Sequence, residues 1–121
     1  MIEVLNDLPE HVVGFRAKGR VTKDDYEKIL IPEIERALQT HGKISCYYEL
    51  GSEFSGMEAG AIWEDTLIGF EHLAQWDRVA AVTDVSWISH ALSAFRFLMP
   101  GRLKVFATEE AQAAKSWVSG K

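Results

Sequence analysis

A chain of 121 residues with a net charge of −5 and a single cysteine, Cys46, has the length of one domain, residues 1–121, and can bury one core without staples. Its 47% hydrophobic and 26% charged residues are those of an ordinary globular protein. This balance excludes an internal disulfide, a thiolate metal cluster and bulk attraction to nucleic acid.

Residues 1–6 and 11–21 read as two strands joined by the turn Asp7-Leu8-Pro9-Glu10, which predicts an antiparallel hairpin. In the second strand Val13, Phe15, Ala17 and Val21 alternate with Arg16, Lys18 and Arg20, so one face is buried and one meets water. Thr22 caps a helix carrying Asp24 and Asp25 in its first turn and ending at His41-Gly42. Pro32 falls inside that helix and predicts a kink between Lys28 and Pro32.

Residues 43–50 alternate as a third strand, Ile44, Cys46, Tyr48 and Leu50 on one side. Residues 51–56 read as a flexible Gly-Ser loop, and a helix then runs over residues 57–73. Ala61, Ile62, Leu67, Ile68 and Phe70 form its apolar side, with Glu58, Glu64, Asp65 and Glu71 opposite; Gly60 and Gly69 mark close packing. The continuous apolar centre of residues 76–83 predicts an interior strand covered on both faces. Ser86 caps the next helix, which Pro100-Gly101 stops, and residues 103–107 form the last strand. Thr108 caps a final helix whose inner face is Ala111, Ala114, Trp117 and Val118. The order β-β-α-β-α-β-α-β-α predicts an α/β fold with a mixed, mainly parallel five-stranded sheet.

No catalytic constellation emerges. His11, His41, His72 and His90 lack metal-ligand spacing, and Cys46 reads as a buried structural thiol. No metal and no cofactor are expected, and the glycine-rich phosphate-binding and nucleophile motifs are absent. His90 near Asp84 is the one loose acid–base pairing. Arg16, Lys18, Arg20 and Lys23 make a basic row that is either a solvated face or a landing patch for acidic lipid or an acidic partner. In the helix after Ser86, the stripe Ile88, Ala91, Leu92, Phe95, Leu98 and Met99 suffices to cover a sheet, and Trp87 and Phe97 are surplus to it. That surplus is accommodated in a core, a second subunit, a ligand cavity or a membrane surface.

The element order, together with particular stretches, resembles the STAS domain and within it the SpoIIAA-like family of STAS/SEC14-like proteins. The stretches are Asp25-Tyr26 through Leu30-Ile31-Pro32, His41-Gly42-Lys43-Ile44, Trp76-Asp77-Arg78-Val79-Ala80, Thr83-Asp84 with Trp87, Phe97-Leu98-Met99-Pro100-Gly101 and Ala114-Lys115-Ser116-Trp117-Val118. The resemblance implies a fold that serves both phosphoserine-switched regulators and lipid-carrying domains. The regulators place their serine after the third strand at a helix N-terminus. Here Ser55, in Phe54-Ser55-Gly56, holds the comparable place without the preceding acid.

The expected function is a non-enzymatic binding module for a small apolar or lipid-like ligand, with peripheral membrane association. The site is expected between the helices of residues 57–73 and 86–99, near the C-terminal ends of the parallel strands, lined by Phe54, Met57, Ile62, Trp63, Trp87, Phe95 and Met99. The alternative is a protein-interaction regulator of the anti-sigma-factor antagonist type, switched at Ser55. Partners are therefore an apolar ligand or lipid, a membrane surface, a protein or a second copy of the chain, and not nucleic acid. Cysteine usage and the N-terminal sequence suggest the cytoplasm, with no segment approaching the ~18 apolar residues of a membrane span.

Overall fold

The computed structural model describes residues 1–96, 99 and 102–120, and their side chains apart from those of Thr66, Phe70, Leu73, Ala94 and Phe95 and the packing of Gly69. Strands β1 (Ile2–Leu5) and β2 (Val12–Ala17) form the antiparallel hairpin, Ile2 opposite Ala17. Strand β4 (Ile44–Leu50), strand β6 (Trp76–Thr83) and strand β7 (Leu103–Phe106) then add in parallel, giving the order β1-β2-β4-β6-β7. β6 is an interior strand as its apolar run requires, and β4 is the centre of the sheet.

A second, two-stranded sheet was not anticipated. The strand expected over 11–21 breaks at Gly19, whose φ of 60° is left-handed backbone that glycine adopts without strain. The chain thereby leaves the main sheet, and β3 (Gly19–Val21) pairs in parallel with β5 (Phe54–Met57). The segment expected to be a flexible loop is thus half strand, and the Glu58 amide continues the pairing by donating to the Val21 carbonyl at 2.8 Å. Ser55 consequently lies exposed in β5 and not at a helix N-terminus, which corrects its expected place. Helix α3 (Ala59–Glu71) begins after Glu58, whose carbonyl receives the Ala61 and Ile62 amides.

The helix after Thr22 opens as α1 (Lys23–Asp25), widens into a π-helical turn over Tyr26–Leu30 and continues as α2 (Ile31–Thr40). Its start is a reciprocal cap, in which the Asp25 amide donates to Thr22 Oγ1 at 3.2 Å and the Thr22 amide to Asp25 Oδ2 at 2.8 Å. Pro32 explains the widening, since it has no N–H for the Lys28 carbonyl. The Ile31 amide reaches back five residues to Tyr26 instead, so the expected kink takes the form of a π turn.

Helix α4 (Ser86–Arg96) and helix α5 (Ala111–Val118) complete the fold. Helices α2, α3 and α4 cover one face, where Val13, Phe15, Ala17, Val21, Ile34, Ala61, Ile68 and Ile88 are buried as a single cluster. The Gly60 position brings α3 against α1, because a Cβ there would lie 3.2 Å from Lys23 Cβ. The opposite face carries only α5, with Ala114 and Val118 against Tyr47, Ala80 and Val82. Thr108 does not cap α5: it opens a 3-10 turn over Thr108–Glu110 that leads into the helix, with Glu110 Oε1 accepting from the Ala107 amide at 2.8 Å and Asp84 Oδ1 from the Thr108 amide at 3.0 Å. The expected helix stop at Pro100-Gly101, and Phe97 and Leu98, lie outside the described residues.

Candidate functional site

Helix α3 is apolar around much of its circumference, and its buried stripe matches the expected apolar side at Ala61 and Ile68 but departs from it at Ile62, Leu67 and Asp65. Ala61 and Ile68 face the core, and Asp65, four residues after one and three before the other, shares their stripe. Ile62, Trp63 and Leu67 are turned outward, 41%, 62% and 42% exposed. The helix thus brings a carboxylate inward and an apolar patch outward.

Asp65 lines a cavity of about 220 Å³ between the sheet and helices α3 and α4. Phe15, Cys46, Tyr48, Val79 and Ala81 on β2, β4 and β6 form its floor, and Tyr26, Leu30 and Ile34 wall one side. Ile62 and Trp87, both exposed, also line it, so it opens between α3 and α4. The cavity lies on the face of the sheet under the helices, not beyond the strand ends.

Of the residues expected at a ligand site, Met57, Ile62, Trp87 and Met99 line this cavity. Phe54 does not; its place on β5 packs it against the edge of the core. Trp63 is on the outer surface of α3. The Phe95 side chain lies outside the described residues.

One polar cluster stands in these apolar walls. The Tyr26 hydroxyl donates to Asp65 Oδ1 at 2.9 Å and lies 2.9 Å from the Tyr48 hydroxyl. A phenol has one proton, and Tyr26 gives it to Asp65, so Tyr48 donates to Tyr26. Both hydroxyl protons therefore point along one chain toward the carboxylate. Burial drives the Asp65 carboxyl up from the ordinary 3.8 to about 6, against the opposing hydrogen bond from Tyr26. Burial, with Asp65 adding to it, also raises both phenols, which stay protonated. The Cys46 thiol is pushed up by burial in the same way, as an inert structural thiol requires.

Elsewhere several charged groups are engaged in structure. Arg16 Nε donates to Glu49 Oε2 at 2.6 Å and Arg16 Nη1 to Glu3 at 3.2 Å, and Lys18 lies 3.5 Å from Glu3. Arg16 and Lys18 of the basic row are thereby paired with carboxylates, which weakens the row as a landing patch. Asp84 is held low by its hydrogen bonds with Thr108, and no hydrogen bond joins it to His90 among the described residues. No group of three His, Cys, Asp or Glu side chains suited to a metal ion occurs among the described residues. No helix among them is long and apolar enough to cross a membrane.

Residues 12–119 match the model of the SpoIIAA-like family. Among solved structures, the chain is similar to an uncharacterised protein of the DUF3478 family from Shewanella loihica PV-4 with a SpoIIAA-like fold. The two share 26% identity and a TM-score of 0.75, over 97% of this chain and 93% of that one. It is also similar to the anti-sigma factor antagonist SpoIIAA in its unphosphorylated form, at 13% identity and a TM-score of 0.55, over 93% of this chain and 96% of that one. The second likeness shows the shared fold alone. Among curated proteins, none matches the chain.

Proposed function

The chain belongs to the SpoIIAA-like family, and from the cavity beneath α3 and α4 we propose that it is a non-enzymatic binding module for a small apolar ligand. The observation that carries this reading is the cavity itself. Its walls are mostly apolar and it opens between α3 and α4, so a ligand that fills it removes apolar surface from water at about 25 cal/mol per Å². An apolar space of about 150 Å³ holds benzene, so this one suits an occupant somewhat larger than a single ring. Mass spectrometry of gently purified protein under native conditions tests the reading. A co-purified apolar molecule supports it; a clean ligand-free mass together with no binding to liposomes counts against both the ligand and its membrane source.

A second reading, a protein-interaction regulator of the anti-sigma-factor antagonist type, draws more support from the comparisons than the first does, because the fold is shared with such a protein. The local observation in its favour is the outward apolar patch of Trp63 and Leu67, with Trp87 46% exposed on α4. Under this reading a protein partner retained by the wild-type chain is lost on Trp63→Ser with Leu67→Ser. A switch at Ser55 further requires that Ser55→Asp alter the retained partner. An unchanged profile removes the switch, which no longer has a helix N-terminus behind it.

A further inference from the structure

Asp65 is an acid placed in an apolar cavity without a cation. Among the described residues no hydrogen bond reaches its second oxygen, and no Lys, Arg or His lines the cavity. The groups that face it are Tyr26 from the π turn and Tyr48 and Cys46 from β4, all neutral, while the lining residues contributed by β6, β7 and α4 carry no charge. With both phenol protons directed toward Asp65, the cavity offers acceptors to a ligand: the open carboxylate oxygen and the lone pairs of the Tyr48 hydroxyl. A ligand bringing an anion would meet like charge at Asp65. A ligand bringing N–H donors and a positive charge would satisfy the open oxygen and neutralise the partly buried carboxylate.

We propose that the ligand of this cavity is a small protonated amine with an apolar body about the size of one aromatic ring and a short chain, its ammonium group pairing with Asp65. This deepens the apolar-ligand reading and rests on it. Keeping an unpaired acid in such a place lowers stability, which is the pattern of a group retained for binding. Because Asp65 titrates near 6, a neutral-pH solution presents it mostly as the carboxylate the pairing requires.

The test uses four ring-bearing probes on the full chain, followed by NMR of its methyl groups at pH 7.5. They are 2-phenylethylamine, 2-phenylethanol, propylbenzene and 3-phenylpropanoate. The expected order places the amine at least about tenfold tighter than propylbenzene, a difference of about 1.4 kcal/mol, and the carboxylate last. Lowering the pH to 5 removes the amine's advantage and leaves propylbenzene unaffected. Asp65→Asn also removes it, with propylbenzene binding preserved as evidence that the cavity is intact. If propylbenzene binds while the amine is no tighter, or if the preference survives Asp65→Asn or pH 5, the ammonium pairing is wrong and the apolar-ligand reading stands. If none of the four perturbs the cavity methyls, both fail together.

Discussion

Replacing Asp65 by Asn should stabilise the protein at neutral pH, an unusual outcome for a partly buried hydrogen-bonded group. The Asp65 carboxyl is raised from the ordinary 3.8 to about 6 by burial. An acid whose folded value is raised binds more protons in the folded than in the unfolded state between those values. Stability from this group therefore falls as pH rises from about 4 to about 6, and the loss is complete above it. A shift of about two units at 1.36 kcal/mol each gives roughly 3 kcal/mol as the upper size of the effect. Asparagine keeps an oxygen to accept from Tyr26 and cannot ionise. Asp7, Asp25, Glu49 and Asp84 are held low and act in the opposite sense, losing stability as pH falls through their lowered values. The difference between wild type and Asp65→Asn cancels them. Urea unfolding of both proteins from pH 4 to 8 should show Asp65→Asn gaining on the wild type across pH 4 to 6 and ahead by about 2–3 kcal/mol at pH 7.5. A difference that does not vary with pH, or an Asp65→Asn protein less stable at pH 7.5, would refute the reasoning.

Three further outcomes follow from the packing. Gly14→Val puts a side chain where even a Cβ would lie 2.5 Å from Leu8 Cδ1 and 3.2 Å from Leu5 Cβ; thermal or urea unfolding should show a loss of about 1–3 kcal/mol. Ser45 is fully buried and its Oγ accepts from the Arg78 amide at 3.2 Å, so Ser45→Ala removes the partner of a part-buried donor and lowers unfolding stability by about 1 kcal/mol. Trp63→Ser with Leu67→Ser removes outward side chains, and its unfolding midpoint should correspond to a change within about 0.5 kcal/mol per site, which separates any loss of binding from a loss of fold.

The main sheet was legible because its signals are local and strong. The alternation of Val13, Phe15 and Ala17 and the continuous run in β6 each allow one placement. The small sheet was not, because β3 and β5 are short and their pairing joins segments far apart in sequence; its one local cue was Gly19 in an otherwise regular alternation. Pro32 announces an irregular helix, and the irregularity takes the form of a π turn in which the Ile31 amide reaches back to the Tyr26 carbonyl. The site was half legible. Met57, Ile62, Trp87 and Met99 were found through an excess of apolar surface on two helices. Asp65 was assigned to the polar face because it is charged, although its spacing from Ala61 and Ile68 puts it on theirs. Helical spacing places Asp65 on that stripe, whereas its hydrogen bond with Tyr26, and through it the contact with Tyr48, joins segments far apart in sequence.

The central claim is that the space between the sheet and helices α3 and α4 accepts an apolar molecule. Methyl NMR of the full chain titrated with propylbenzene tests it most directly. Saturable shifts are expected at Leu30, Ile34, Ile68, Ile88 and Leu103, which surround the cavity, with the methyls of Val12, Val82 and Val118 on the opposite face unmoved. Absence of saturable shifts at the first group, or equal shifts in both, would contradict it.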